Sequence, residues 1–178
     1  MLRQLGRRLE QRRTGDAGFT LVEMVVVMSI LGLMMSIGIF GFSNWRNTAQ
    51  QQGTADELVS ALRNASTQAV SEGRTYCVQI AADGRSYTRW RTACNGTAAN
   101  QVGGVVRTQS AAVTLAATVP FPATAALPSP APACPSGTKC LYFYPRGTAI
   151  PAEVVVSSTA RSKTYTIRVE GLTARVHQ

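Results

Sequence analysis

Between Phe19 and Phe42 the chain reads FTLVEMVVVMSILGLMMSIGIFGF: 17 of 24 residues are apolar, none is proline, and Glu23 is the one charge. As an α-helix rising about 1.5 Å per residue this segment reaches roughly 36 Å, enough to cross a hydrocarbon core of about 30 Å. It exceeds the apolar region of a cleaved secretory signal peptide, about 7–15 residues, and Ser43-Asn44-Trp45-Arg46 follows it rather than a small-residue cleavage site. Further on, Leu58, Leu62, Ala65 and Ala69 recur at i, i+4, i+7 and i+11, with Asp56, Arg63, Asn64 and Gln68 off that stripe. The spacing predicts an amphipathic helix whose stripe packs on a globular domain. Glu72-Gly73 supplies a stop. One long helix from Phe19 to about Ser71 is expected.

The period then changes. Tyr76, Val78 and Ile80 alternate with Cys77 and Gln79, and Asp83-Gly84 precedes Tyr87–Arg91. This predicts a β-hairpin. Six of the eight prolines fall within 120–135 (Pro120, Pro122, Pro128, Pro130, Pro132 and Pro135) among Ala, Ser and Thr. Proline cannot donate to a strand ladder, so 120–135 is expected to be a long, partly polyproline-like surface loop. At the C-terminus, a two-residue turn at Glu170-Gly171 would set Val169 opposite Leu172, Ile167 opposite Ala174 and Tyr165 opposite Val176 on one buried face. Arg168 and Arg175 would then be diagonal neighbours on the exposed face.

Charge divides along the same boundaries. Residues 1–18 hold five arginines against Glu10 and Asp16, or +3; residues 19–42 hold −1; residues 43–178 hold 13 basic and 6 acidic groups, or +7, within a total of +9. A basic flank N-terminal to an apolar span is expected to remain in the cytoplasm, with the C-terminal part exported. Export permits disulfides. Four cysteines allow three connectivities. Cys134 and Cys140 enclose the turn-forming PSGTK, which favours Cys134–Cys140 and, by remainder, Cys77–Cys94. The absence of a CxxC pair and the exported compartment argue against a zinc site. With one histidine, no Gly-rich phosphate loop and no nucleophile–base pattern, neither an enzyme nor a bound cofactor is expected.

Glu23 is the anomaly. A carboxylate inside an apolar span costs roughly 2.5–3.5 kcal/mol, and no Lys or Arg lies within 19–42. Its partner is expected to come from another chain or from a new N-terminus. A cut between Gly18 and Phe19 would create a free α-amine at Phe19, with Glu23 as the fifth residue of the new chain.

Gly18-Phe19-Thr20-Leu21-Val22-Glu23 after a short basic leader resembles the type IV prepilin signature. The resemblance implies that a prepilin peptidase cuts after Gly18 and methylates the Phe19 amine. It also implies that the helix anchors the subunit in the inner membrane, and that Glu23 pairs with a neighbouring subunit's amine and sets the register of a filament. The kinking proline of many major pilins is missing; Gly32, Gly38 and Gly41 occur instead. Leu58 to Arg91, together with Phe143-Tyr144-Pro145-Arg146-Gly147, resembles the family of type II secretion pseudopilin H and FimT minor pilins. That family's C-terminal G-R-x-R aligns with Ala174-Arg175-Val176-His177, which keeps only the first arginine.

The resulting expectation is an α+β, type IV pilin-like chain: leader 1–18, transmembrane and filament-core helix 19–42, and an exported domain 43–178 with a small antiparallel sheet. It is expected to be a structural subunit of a type II secretion pseudopilus or a type IV pilus, with a prepilin peptidase, other pilins and the inner membrane as partners. The resemblance implies one alternative, DNA binding in uptake through C-terminal arginines. Arg146, Arg161, Lys163, Arg168 and Arg175 are the candidate residues, and any binding is expected to be sequence-independent and salt-sensitive. A solvated basic face is the competing reading.

Overall fold

A computed structural model describes residues 19–94, 98–122 and 134–178, except for the side chains of residues 37–41, 43, 44 and 161. The expected leader 1–18, Gly18 included, and most of the proline-rich loop lie outside the described residues. The chain divides into two compact units, Met1–Asn44 and Trp45–Gln178.

Helix α1 spans Leu21–Ser71. Its C-terminus is set by Gly73, which adopts φ +63°, a left-handed conformation that only glycine enters without steric cost. Gly73 N–H donates to the Val70 carbonyl at 3.4 Å and Arg74 N–H to the Ala69 carbonyl at 3.2 Å, the paired bonds of a Schellman cap.

In the second unit, β1 (Tyr76–Ile80), β2 (Ser86–Arg91), β3 (Gln101–Arg107) and β5 (Lys139–Phe143) form one sheet in the order β3-β2-β1-β5. A second sheet, ordered β4-β6-β7-β8, contains β4 (Val113–Thr118), β6 (Ala152–Ser158), β7 (Arg161–Val169) and β8 (Val176–His177). All pairings are antiparallel. The β1–β2 hairpin is the one the alternation predicts, with Tyr76 opposite Arg91 and Ile80 opposite Tyr87. The expected antiparallel sheet domain is present, and among the described residues it is divided into two sheets of four strands. The chain crosses to the second sheet at β4, returns for β5, and closes with β6–β8.

The stripe Leu58, Leu62, Ala65 and Ala69 is fully buried. It joins one core cluster with Tyr76, Val78, Leu141 and Phe143 of the first sheet and Val154, Val156, Ile167 and Val169 of the second. Burying a leucine of this kind contributes about 1.5–3 kcal/mol. Gln51 is also buried, and its Nε2 donates to the carbonyls of Val156 at 3.1 Å and Lys163 at 2.6 Å. Helix residues of this unit are thereby fixed to β6 and β7.

The opposite face of the first sheet has its own apolar cluster of Cys77, Trp90, Cys94, Cys140, Tyr142 and Ile150. Disulfides join Cys77 to Cys94 and Cys134 to Cys140, with Cα–Cα distances of 5.6 and 5.8 Å. Pro120–Pro122 and Cys134–Pro135, the described ends of the proline-rich segment, lie outside the strands.

The C-terminal hairpin departs from expectation. Val169 pairs with Val176 and Arg168 with His177, so the connection is Glu170–Arg175 rather than a two-residue turn. Gly171 lies within this longer loop, and its carbonyl accepts from Ala149 N–H at 2.8 Å. The loop is closed instead by Glu170 N–H donating to the Arg175 carbonyl at 2.9 Å, with Ala174 at φ +47°. Leu172, expected in the buried face, is 89% exposed.

Candidate functional site

Two regions carry the residues singled out by the sequence: the start of α1 and the C-terminal sheet. Phe19 and Thr20 precede the helix. Glu23 N–H donates to Thr20 Oγ1 at 3.2 Å and Met24 N–H to the Thr20 carbonyl at 3.2 Å. Thr20 is therefore the N-cap, and Thr20-Leu21-Val22-Glu23 has the spacing of a capping box. Glu23 lies in the first helical turn, where the positive end of the helix dipole favours a carboxylate. Among the described residues no ion pair reaches that carboxylate.

From Leu21 to Met35 the apolar side chains Leu21, Val22, Val25, Met28, Leu33 and Met34 are among those exposed. A groove on this surface is lined by Leu21, Met24, Val25, Met28 and Ser29. The hydroxyls here are satisfied within the helix: Ser29 Oγ donates to the Val25 carbonyl and Ser36 Oγ to the Leu33 carbonyl, each at 2.7 Å. Ser29 and Ser36 therefore leave no hydroxyl unsatisfied on this apolar surface, and Glu23 is its one charged side chain. Among the described residues no helix is long and apolar enough to cross a membrane. The expected span 19–42 continues over residues 37–41, whose side chains lie outside the description.

At the C-terminus the candidate arginines have separate surroundings. Arg168 Nε donates to Glu153 Oε2 at 2.8 Å, and its guanidinium lies 5.4 Å from the Phe121 ring centre. Arg168 lies opposite His177 in the β7–β8 ladder, and Arg175, two residues earlier, precedes β8. Lys163 Nζ sits over the Tyr165 ring at 4.9 Å. Arg146 is exposed in the turn after β5, where Gly147 N–H donates to the Tyr144 carbonyl. Arg161 opens β7; its side chain lies outside the description.

Arg175 lines a groove of about 570 Å³ with Arg63, Thr67, Thr173 and His177. Arg63 was placed off the helix stripe by the sequence, but nothing there indicated that its Nη2 would donate to the Val176 carbonyl, as it does at 3.1 Å. Glu170 tempers the positive charge. It accepts from Thr173 Oγ1 at 2.7 Å and lies 3.1 Å from His177 Nε2. The Thr173 hydrogen bond, aided by His177 and Arg175, holds its carboxyl below the usual range.

The sulfurs of Cys77, Cys94 and Cys140 lie within 4.8 Å of one another, but all are engaged in disulfides, which leaves no thiolate for a metal.

Similarity to known proteins agrees with this architecture. The crystal structure of the type IV minor pilin FimU from Pseudomonas aeruginosa is similar with a TM-score of 0.55 at 16% identity, over 75% of this chain and 90% of that one. The minor pseudopilin EpsH of the type 2 secretion system of Vibrio cholerae is similar with a TM-score of 0.51 at 12% identity, over 72% of this chain and 94% of that one. At these identities the likeness establishes the fold, a type IV pilin-like helix and antiparallel sheet domain. No curated protein matches significantly. The prokaryotic N-terminal methylation motif matches residues 13–39. The family and the similar structures are pilins and pseudopilins, structural subunits rather than enzymes. With its family model, type II transport protein GspH, matching residues 54–173, the chain belongs to the GspH family of pilin-like subunits.

Proposed function

We propose that this pilin-like subunit is processed after Gly18 by a prepilin peptidase, methylated on the Phe19 amine, and assembled as a minor subunit into a type II secretion pseudopilus or a type IV pilus. Residues 1–18 hold the N-terminus in the cytoplasm, residues 19–42 anchor the precursor in the inner membrane, and residues 43–178 reach the periplasm or cell surface. The observation that carries this reading is the exposed apolar surface of α1 with Glu23 in its first turn. Each side chain it covers contributes about 1.5–3 kcal/mol, so a few of them offset the roughly 2.5–3.5 kcal/mol cost of the carboxylate. A neighbour's Phe19 amine then removes that cost and fixes one axial position. Glu23→Ala is expected to leave cleavage and membrane insertion intact and to abolish co-purification with filaments or pilin complexes. Recovery of that variant in complexes at the normal level overturns the assembly role, and an N-terminus found at Met1 in the assembled form overturns the processing.

A second reading, DNA binding during uptake, draws on the groove that combines Arg63, Arg175 and His177. Its affinity would come from phosphate contacts and fall steeply with salt. Gel shifts with wild type and Arg63→Gln/Arg175→Gln test it: binding lost in the double variant supports the reading, and binding unaffected by it, or absent at low salt, removes it.

A further inference from the structure

The two disulfides are neighbours but differ in access. Cys134 is exposed, Cys140 is 5% exposed, and Cys77 and Cys94 are fully buried. A cleft of about 170 Å³ opens beside the Cys134–Cys140 bond, lined among others by Thr138, Lys139 and Tyr142. An external thiol therefore reaches one disulfide and not the other. Behind the accessible bond, the Cys140 sulfur lies within 4.8 Å of both sulfurs of the buried one.

We propose that Cys134, Cys140 and the Cys77–Cys94 bond form a thiol–disulfide exchange site, entered through the cleft at Cys134 by a dithiol. A thiolate of the dithiol attacks Cys134 Sγ. A sulfur–sulfur bond forms there, the Cys134–Cys140 bond breaks, and its electron pair leaves on Cys140. The dithiol's second thiol then closes its own disulfide and releases Cys134, which takes a proton from solvent. The dithiol is oxidised by two electrons and Cys134–Cys140 is reduced by two. The Cys140 thiolate next attacks the buried disulfide, forming one sulfur–sulfur bond, breaking another, and expelling a thiolate that is protonated by solvent. This second step carries no net redox change.

The local chemistry favours that order. Thr138 Oγ1 lies 3.5 Å from Cys134 Sγ and 3.9 Å from Cys140 Sγ. Its hydroxyl, which donates to the Pro135 carbonyl at 2.8 Å, needs only to rotate to donate to the released thiolate.

Register selects the sulfur attacked. Cys77 pairs with Tyr142 and Gln79 with Cys140, so Cys77 and Cys140 are diagonal neighbours on adjacent strands. Their Cα atoms are then roughly 7–8 Å apart, beyond the roughly 4.4–6.8 Å that a disulfide spans. Cys94 follows the end of β2 and is not held in a ladder. Attack on Cys94 is the step the backbone accommodates, giving Cys94–Cys140 and a free Cys77.

Disulfide mapping of the full chain in detergent, with acid quenching before digestion, tests this. In Cys134→Ser, where Cys140 has lost its partner, a Cys94–Cys140 peptide is expected beside Cys77–Cys94. Its rate of appearance should rise about tenfold per pH unit below a thiol pKa of about 8.5. Cys77–Cys94 as the sole disulfide, with Cys140 fully alkylated at pH 8.5 (about the thiol pKa), overturns the proposal. Brief treatment of the wild-type chain with substoichiometric dithiothreitol, without denaturant, decides the matter even if the variant does not fold. Cys134 and then Cys77 should be the alkylated residues. Lasting alkylation of Cys134 with Cys140, or reduction of Cys77–Cys94 first, overturns it.

Discussion

The Thr20 hydroxyl accepts the backbone N–H of Glu23 at 3.2 Å, so the first turn of α1 is closed by the residue that lies between the expected cleavage site and the acid. The T-x-x-E of the motif is thus also a helix-starting device. Its loss should act on the turn that presents Glu23. Thr20→Ala is expected to cost the first turn about 1 kcal/mol, which would read as roughly fivefold faster hydrogen exchange at the amides of Leu21–Met24. Thr20→Ser should restore protection. Unchanged exchange in Thr20→Ala would show that the cap contributes nothing.

Gly84 joins the two sheets. It adopts φ +64°, and its carbonyl accepts Leu115 N–H at 2.7 Å. A Cβ at this position would lie 2.5 Å from the Leu115 carbonyl oxygen. That neighbour is backbone and cannot rotate away, so strain adds to the conformational penalty. Gly84→Ala is expected to lose about 2–4 kcal/mol in urea unfolding of the domain. A loss under about 0.5 kcal/mol, the level of an ordinary surface change, would mean that β4 can separate from the hairpin turn at little cost.

How much of this was legible follows from the range of each interaction. The helix face was readable because Leu58, Leu62, Ala65 and Ala69 repeat a local period, and Gly73 punctuates it within the same stretch. The hairpin at Asp83-Gly84 was readable for the same reason. The second sheet was not, because β4 pairs with β6 across the proline-rich segment, and no local signal spans that separation. At the C-terminus the buried side of Ile167, Val169, Ala174 and Val176 was read correctly although the register was wrong. Val169 pairs with Val176 instead of Leu172; an offset of even length leaves each side chain on its expected face. Only Leu172, carried into the loop, changes environment. The loop that carries it is tied to Ala149 through the Gly171 carbonyl, a tertiary contact that the dipeptide Glu170-Gly171 does not reveal. For the same reason the sequence does not show that Arg63 of the helix lines one groove with Arg175.

Gln51 is a polar residue that burial alone would disfavour. Its two hydrogen bonds to the Val156 and Lys163 carbonyls explain its place in the core. Gln51→Leu keeps similar volume and leaves both acceptors without this donor. The expected loss is about 1–3 kcal/mol, measured as a lower urea midpoint with an unchanged slope. A variant as stable as wild type would show that the carbonyls find other partners.

The loop between β7 and β8 should respond to acid. Glu170 holds Thr173 and His177 through its two carboxylate oxygens, and its pKa is lowered, chiefly by the Thr173 hydrogen bond. A carboxyl depressed in the folded state contributes stability above its unfolded pKa, and loses it as pH falls through the folded value. The window therefore opens near 4.5, the ordinary value, and extends below it. Because Glu170 is exposed, the effect should be local rather than global. Amide exchange at Thr173, Ala174 and His177 is expected to lose protection in that window relative to the core strands, and Glu170→Gln should remove the pH dependence while weakening the loop at neutral pH. Protection in the wild-type loop that stays level with the core strands through the same window would show that Glu170 does not hold the tail.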